Sequence, residues 1–113
     1  METIFKVLGD HNRLRILHLL MQQELCVCEI EEILQTTQSN ASRHLTKLKQ
    51  AGVISCTKKA QWVYYKVHPN FIASHSLLYE YLKEQQKSGE TYQKDLKTLE
   101  VFNEKQQSCK SLA

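Results

Sequence analysis

Apolar residues recur at helical spacing along most of the chain, in segments separated by short polar breaks. The first segments are a short stripe over residues 2–8 and a longer, nearly continuous apolar run over residues 13–21. Asp10 lies between them, and aspartate is favoured at the N-cap of a helix. The pattern predicts a short helix followed by a helix that is buried on most of its sides.

The next two segments have the spacing of a helix-turn-helix. Val27, Ile30 and Leu34 lie on one face of a predicted helix over residues 27–35, and a polar turn leads to a second helix over residues 39–51. Gly52 follows at the position where a left-handed glycine commonly ends a helix. Two short helices joined by a tight turn are typical of DNA-binding proteins.

The pattern then changes to strands. Two β-prone runs at 53–57 and 62–67, joined by the polar residues 58–61, predict a hairpin that Pro69 ends. Helical spacing returns over residues 71–83 and again over 92–102. We therefore predict a mainly α fold with a β-hairpin, a dimeric winged helix-turn-helix. Residues 1–87 form its DNA-binding and dimerisation domain, and residues 88–113 form a C-terminal helical extension with a polar tail.

Length and charge favour a nucleic acid as the partner. A chain of 113 residues is long enough for one domain and short for an enzyme with a cofactor domain. No acidic residue lies between Glu32 and Glu80, whereas that interval holds six lysines and arginines. Such a one-sided block is the electrostatic footprint of a polyanion-binding surface. The sequence shows no apolar span of about 20 residues and no signal peptide, so we expect a cytoplasmic protein.

The second predicted helix of the helix-turn-helix carries a polar face suited to base recognition. Arginine can donate two hydrogen bonds to guanine, and glutamine or asparagine can pair with adenine. A helical wheel places the following polar residues opposite the core or beside that face: Ser39, Asn40, Ser42, Arg43, Thr46, Lys47 and Gln50. Lys58 and Lys59 lie at the predicted hairpin tip, where they form a basic wing for a neighbouring groove.

Five segments in register resemble successive blocks of the ArsR family, which comprises dimeric bacterial winged-helix repressors that sense metals and metalloids. The segments are 8–17, 24–30, 38–45, 51–54 and 62–65, and the resemblance covers about residues 1–82. It implies that the wing is Lys58 and Lys59, and that the base-reading positions are Gln38, Ser39, Ser42, Arg43 and His44. It also implies double-stranded operator DNA and a second copy of the chain as partners. The chain departs from the family pattern at His11, where proline is usual, and at Ala60, where glycine is common.

Cys26 and Cys28 form the candidate inducer site. They lie at the start of the first helix of the helix-turn-helix, where the helix dipole lowers the pKa of a thiol. Thiolates prefer soft ions. Two positions on an ideal helix point about 200° apart, so we expect an ion shared by both sulfurs to distort this helix and release DNA.

The identity of the ion and of a third ligand stays open at this point. The Cys-Val-Cys motif resembles the family's site for trivalent arsenic and antimony, and also half of a cadmium and lead site. Some arsenic sensors have a third cysteine where this chain has Glu31. Cys109 in the polar tail is the preferred third ligand here, Cys56 is an alternative expected to be structural, and a two-sulfur site is also possible.

Other functions fit the sequence less well. A thiol-redox sensor of the same fold would need a strained disulfide between near neighbours. A zinc sensor of this family would need paired ligands that His68 and His75 do not supply. A thiol enzyme or metal carrier is disfavoured because the sequence has no phosphate-binding loop and no nucleophile–base pattern, so we expect no catalytic residue and no catalytic cofactor.

The predicted helices at both ends of the domain carry more apolar residues than a small winged helix can bury by itself. We predict that they form a two-fold dimer interface, as a palindromic operator requires. The same residues could also belong to the core of one chain. They are Ile4, Phe5, Leu8, Leu77, Leu78, Tyr81 and Leu82.

Overall fold

The structure, a computed structural model, describes residues 2–105, and these fold into seven helices around a small antiparallel sheet. The helices are α1 (Glu2–Leu8), α2 (His11–Leu20), α3 (Val27–Leu34), α4 (Gln38–Gln50), α5 (Pro69–Ser74), α6 (Ser76–Ser88) and α7 (Glu90–Glu104). The strands are β1 (Leu25–Cys26), β2 (Ile54–Lys59) and β3 (Trp62–Val67). The predicted winged helix-turn-helix is confirmed, with α3 and α4 as its two helices and β2–β3 as its wing.

The helix ends follow local signals in the sequence. Asp10 caps α2, because its Oδ1 accepts hydrogen bonds from the backbone N–H groups of Asn12 and Arg13 at 2.8 and 3.1 Å. Thr37 caps α4 by accepting the N–H of Asn40 at 3.2 Å. Gly52 adopts φ 78° directly after α4, as expected for a glycine that ends a helix.

The sheet has the strand order β1-β3-β2 within the described residues. Strand β1 was not predicted, because two residues are too short to show an alternating pattern. It aligns Leu25 with Tyr65 and Cys26 with Tyr64. The loop of the wing is also shorter than the predicted 58–61, since Lys59 pairs with Trp62 and only residues 60–61 connect the strands.

The C-terminal helices pack against the rest of the fold. The helix predicted over 71–83 is divided into α5 and α6 at His75, whose backbone is not helical. Helix α7 packs against α2 and α3 and buries Leu99 and Phe102 in the core that the other helices share. The 88–113 extension predicted from the sequence thus begins with a helix that belongs to the same hydrophobic core, while residues 106–113 lie outside the described residues.

Candidate DNA-binding surface and thiol site

Helix α4 presents a polar face to solvent. Its core-facing residues Ala41, Leu45 and Leu48 are essentially buried. Gln38, Ser39, Asn40, Arg43 and Lys47 are exposed and Ser42 is half-buried, while the first turn contains no acidic residue. These side chains and the helix N-terminus share one accessible surface, which can accept phosphate and base edges.

His44 does not belong to that surface, and its prediction as a base-reading residue is wrong. Its side chain is 4% exposed, and Arg13 Nη1 lies 3.3 Å from His44 Nδ1. Burial is the main cause that lowers the pKa of His44, which favours a neutral imidazole that accepts from Arg13. Arg13 also donates from Nε to the carbonyl of Val7 at 2.6 Å. Through Arg13, His44 therefore connects α4, the recognition helix of the helix-turn-helix, to α1 and α2.

The wing carries both predicted lysines on exposed positions of β2. Lys59 has defined partners: its Nζ lies 3.6 Å from Glu24 Oε1 and 5.4 Å from the centre of the Tyr64 ring. The turn that follows contains Ala60 at φ 58°, a left-handed conformation that non-glycine residues rarely adopt. Lys58 is exposed and pairs across the strands with Val63.

The two sulfurs of the Cys-Val-Cys motif lie 3.7 Å apart. The expectation that they point to opposite sides of a helix is wrong, because Cys26 ends β1 with extended backbone angles (φ −91°, ψ 169°) and only Cys28 lies within α3. The two sulfurs therefore lie close together without any unwinding of the helix. Two sulfurs at about 2.3 Å from one tetrahedral ion are about 3.8 Å apart, so the observed spacing suits a shared thiophilic ion.

Cys26 is also the N-cap of α3. It forms a capping box with Glu29: the Cys26 N–H donates to Glu29 Oε1 at 2.9 Å, and the Cys26 thiol faces the backbone N–H of Glu29. Burial raises the pKa of the Cys26 thiol, although nearby backbone N–H groups oppose this effect. For Cys26, the predicted lowering of the thiol pKa is therefore wrong, because desolvation is the largest influence.

Glu29 is a residue that the sequence reasoning missed. It is a buried carboxylate, 8% exposed, on the helix that carries the thiol site. Its spacing from Cys26 is that of a capping box, with cysteine in the place usually taken by serine or threonine. That spacing is the signal that could have identified it.

Within residues 2–105 of one chain, no group of three histidines, cysteines or acidic residues is arranged to hold a metal ion. Cys56 aligns with Tyr65, which aligns with Leu25, so Cys56 shares the sheet face of Leu25 and not that of its neighbour Cys26. Cys56 is therefore excluded as a third ligand of this pair in the same chain. Cys109 lies outside the described residues.

The residues predicted for a dimer interface fall into three groups by their exposure to solvent. Ile4, Leu8 and Leu82 are buried in the core of the single chain, so their assignment to the interface is wrong, because α1 and α6 turn these side chains inward. Leu78 is half-buried against the same core. Three large apolar side chains stay exposed, namely Phe5 (57%), Leu77 (87%) and Tyr81 (59%).

No helix within residues 2–105 has both the length and the apolar character needed to cross a membrane.

Comparisons with known proteins agree with this geometry. The bacterial regulatory protein arsR family matches residues 10–55, which include α2, α3 and α4. The chain is 45% identical over 67 residues to the arsenic resistance transcriptional regulator ArsR1 of Pseudomonas putida, covering 58% of this chain and 52% of the relative. It is 45% identical over 62 residues to the cadmium resistance transcriptional regulatory protein CadC of Listeria innocua, covering 54% and 52%. The chain therefore spans about half the length of these two curated relatives.

Two further similarities cover more of the related protein. An uncharacterized HTH-type transcriptional regulator of Methanocaldococcus jannaschii is 42% identical over 65 residues, which cover 57% of this chain and 73% of that protein. The solution structure of a homodimeric winged helix-turn-helix domain from Mycobacterium bovis, a possible ArsR-family regulator, superposes with a TM-score of 0.64 at 26% identity, covering 74% of this chain and 78% of that one. With its helix-turn-helix and wing, this chain belongs to the ArsR family of bacterial regulatory proteins, a family of DNA-binding transcriptional regulators and not of enzymes.

Proposed function

We propose that this protein is a homodimeric transcriptional repressor that binds operator DNA and releases it when trivalent arsenic or antimony binds Cys26 and Cys28. The observation that carries the proposal is the 3.7 Å separation of the two sulfurs at the N-terminus of the helix that supports the recognition helix. The names of the arsenic and cadmium resistance relatives support a thiophilic inducer.

DNA binding is assigned to the exposed face of α4 together with the wing. Arg43 is the candidate for a bidentate contact to guanine, and Gln38, Ser39, Asn40 and Ser42 surround it on the same surface. Lys47, Lys58 and Lys59 contribute charge for the phosphate backbone.

A two-fold dimer would place two recognition helices on the half-sites of a palindromic operator. Phe5, Leu77 and Tyr81 supply exposed apolar surface for it, in addition to the half-buried Leu78. The homodimeric domain of the related Mycobacterium bovis protein supports the same assembly.

The donor set suits trivalent arsenic. Arsenic arrives as neutral As(OH)₃ and exchanges each hydroxide for a sulfur, while the displaced hydroxide and the thiol proton leave together as water. A thiol whose pKa is raised, as burial does for Cys26, does not hinder this exchange because no free proton has to be released. Binding would engage the sulfur that caps α3, so the start of α3 and its contact with α4 are where the inducer acts.

We propose Cys109 as the third sulfur, reached from the same chain. Gln23 and Asn103 exchange two amide hydrogen bonds, of 3.2 and 2.8 Å, which hold the end of α7 beside the segment that precedes β1. Cys109 is six residues beyond Asn103, and six residues can span up to about 20 Å. Cys26 is three residues beyond Gln23, within that reach.

Zinc fits the site less well, since a structural zinc ion takes four protein ligands and residues 2–105 supply two sulfurs without a third ligand group nearby. A redox sensor would use the same two cysteines and would release DNA in response to an oxidant instead of arsenite. Cadmium is the closest competitor, since a cadmium resistance regulator is 45% identical to this chain over 62 residues.

The test is a gel-shift titration with the DNA upstream of the protein's own gene, in the presence of arsenite, antimonite, cadmium, zinc or peroxide. We expect arsenite and antimonite to release the wild-type protein. Cys26→Ser and Cys28→Ser should bind DNA normally and lose this response, because each substitution removes one of the paired sulfurs.

Cys56→Ser is the matched control, since it removes a thiol from the other face of the sheet and should leave the response intact. Cys109→Ser should raise the arsenite concentration needed for release. Normal release from both Cys26→Ser and Cys28→Ser would place the inducer site elsewhere, and a normal response of Cys109→Ser would leave a two-sulfur site.

A further inference from the structure

One face of the small sheet connects the thiol site to the wing. Cys26 on β1 aligns with Tyr64 on β3, and Tyr64 aligns with Thr57 on β2. Residues two positions apart on a strand share a face, so Lys59 is on the same face as Thr57. A continuous row of side chains therefore runs from the candidate inducer site to a lysine of the wing.

The Lys59 ammonium contacts one residue of this row, Tyr64, and a carboxylate beside the row. It lies 3.6 Å from the carboxylate of Glu24, which immediately precedes β1, and 5.4 Å from the centre of the Tyr64 ring. Glu24 is two residues from Cys26, and Tyr64 is the cross-strand neighbour of Cys26. A movement of the Cys26 backbone would therefore reach both residues that contact Lys59: Glu24 along the chain, and Tyr64 through strand pairing.

The ion pair affects what the wing can offer to DNA. A lysine whose charge is paired with a carboxylate neutralises a phosphate less effectively, and the carboxylate itself repels phosphate. Lys59 still has half of its side-chain surface exposed (53%), so DNA can compete with Glu24 for it.

We propose that Glu24 and Tyr64 are positioning residues that set the availability of Lys59 to DNA, and that the inducer acts on the wing through them. Occupation of Cys26 shifts β1 relative to β3, and this strengthens the hold of Glu24 on Lys59. The first part, the restraint of Lys59, stands independently of any inducer. The second part rests on the proposed function, because it requires an inducer at Cys26.

The restraint is tested by measuring operator affinity across a range of salt concentrations, without inducer. Glu24→Gln frees Lys59, so we expect affinity to rise several-fold and the slope of log K against log salt to become steeper by about 1 for each subunit bound, as for one additional phosphate contact per subunit. Glu32→Gln is the matched control, because it removes the same charge from an exposed position on α3 that has no ion pair with Lys59.

A double-mutant cycle identifies Lys59 as the group responsible. The effect of Glu24→Gln should disappear when Lys59 is replaced by methionine. The proposal is wrong if Glu24→Gln and Glu32→Gln change the affinity and the salt slope equally. It is also wrong if Glu24→Gln has the same effect in a protein that already carries Lys59→Met, because Glu24 then does not act through Lys59.

The link to the inducer is tested with arsenite, whose binding is followed separately by the ultraviolet absorbance of arsenic–sulfur bonds. In Glu24→Gln and Tyr64→Val, arsenite should bind as in the wild type but release DNA less completely, whereas Tyr64→Phe keeps the ring and should behave as the wild type. Unchanged release in the first two variants would overturn the link. Failure of arsenite to bind the wild type would overturn the proposed function instead, and the salt-slope result would still stand.

Discussion

Arg15 and Asp95, which are 80 residues apart in the sequence, form a bidentate ion pair. The guanidinium donates from Nε to Asp95 Oδ2 at 2.8 Å and from Nη2 to Oδ1 at 2.9 Å. The Asp95 side chain is 7% exposed and the Arg15 side chain 24%, so the pair is largely shielded from water. It joins α2 to α7, the helix whose role the sequence left open.

Removal of this carboxylate should loosen α7. We expect Asp95→Ala to lower the free energy of unfolding by about 2–3 kcal/mol, because it leaves a partly buried guanidinium without its partner. Urea denaturation followed by circular dichroism measures the change. Glu100→Ala, at an exposed position of α7, is the control and should change stability by less than about 0.5 kcal/mol. Equal effects of the two substitutions would show that the ion pair does not hold α7.

Arg43 should contribute base discrimination as well as charge. We expect Arg43→Ala to weaken operator binding by about 1–3 kcal/mol and to reduce the preference for the operator over sites with one altered base pair. Binding to a panel of single-substitution operators measures both effects. Lys47→Ala serves as the comparison and should weaken binding to every site alike. If Arg43→Ala and the wild type show the same order of affinities for these operators, Arg43 does not take part in base recognition.

Lys58 should act on the phosphate backbone without regard to sequence. We expect Lys58→Ala to weaken binding to operator and unrelated DNA by the same factor and to reduce the salt slope by about 1 for each subunit bound. Lys97→Ala, which removes the same charge from an exposed position of α7, should leave the slope unchanged. A loss confined to one base preference would contradict the assignment of Lys58 to the wing.

Glycine should be more stable than the native alanine at position 60 in the turn of the wing. Ala60 has φ 58°, a conformation that costs an L-residue roughly 1 kcal/mol or more, so Ala60→Gly should raise the melting temperature, with a gain in stability of about 1 kcal/mol. Gly52→Ala is the reciprocal test. Apart from the two adjacent residues, no heavy atom of the described part of the chain lies within 4 Å of the position of an added Cβ. Since φ is 78°, stability should fall by about 1 kcal/mol from backbone strain alone. Thermal unfolding that moves in the opposite direction for either variant would contradict these turn conformations.

His18 should make the protein sensitive to acid. Burial lowers its pKa from 6.5 to about 4, with Asp95 opposing the shift, and its Nδ1 has no hydrogen-bond partner among the described residues. Below pH 6.5 the unfolded chain binds a proton at His18, whereas the folded chain binds it only near pH 4. Protonation therefore favours the unfolded chain, and stability is lost as the pH falls through this interval. The contribution is up to about 3 kcal/mol.

Urea denaturation between pH 7 and pH 4 measures this loss. The wild type should lose more stability than His18→Leu as the pH falls, because leucine has no proton to bind. His11→Gln, at an exposed position, should retain the wild-type dependence on pH. A parallel loss of stability in wild type and His18→Leu would assign the acid sensitivity to other groups.

Much of the fold follows from short-range patterns. Helical spacing predicted α2, α3 and α4 to within two residues at each end, and Asp10 and Gly52 mark helix ends by chemistry that acts over one turn. The hairpin was predicted because two runs of β-prone residues flank a short polar segment. Strand β1 was missed because its two residues are strands only through their pairing with β3.

The sequence by itself determined the helix-turn-helix, the wing and the polar face of α4, because spacing and capping depend on neighbours within a few residues. Only the tertiary structure decided which residues meet at the sites. Arg13 contacts His44 from 31 positions away, and Asp95 binds Arg15 across 80 positions and so joins α7 to α2. The two sulfurs of the Cys-Val-Cys motif lie close together because pairing with β3 keeps Cys26 extended, and β3 lies almost 40 residues further along the chain.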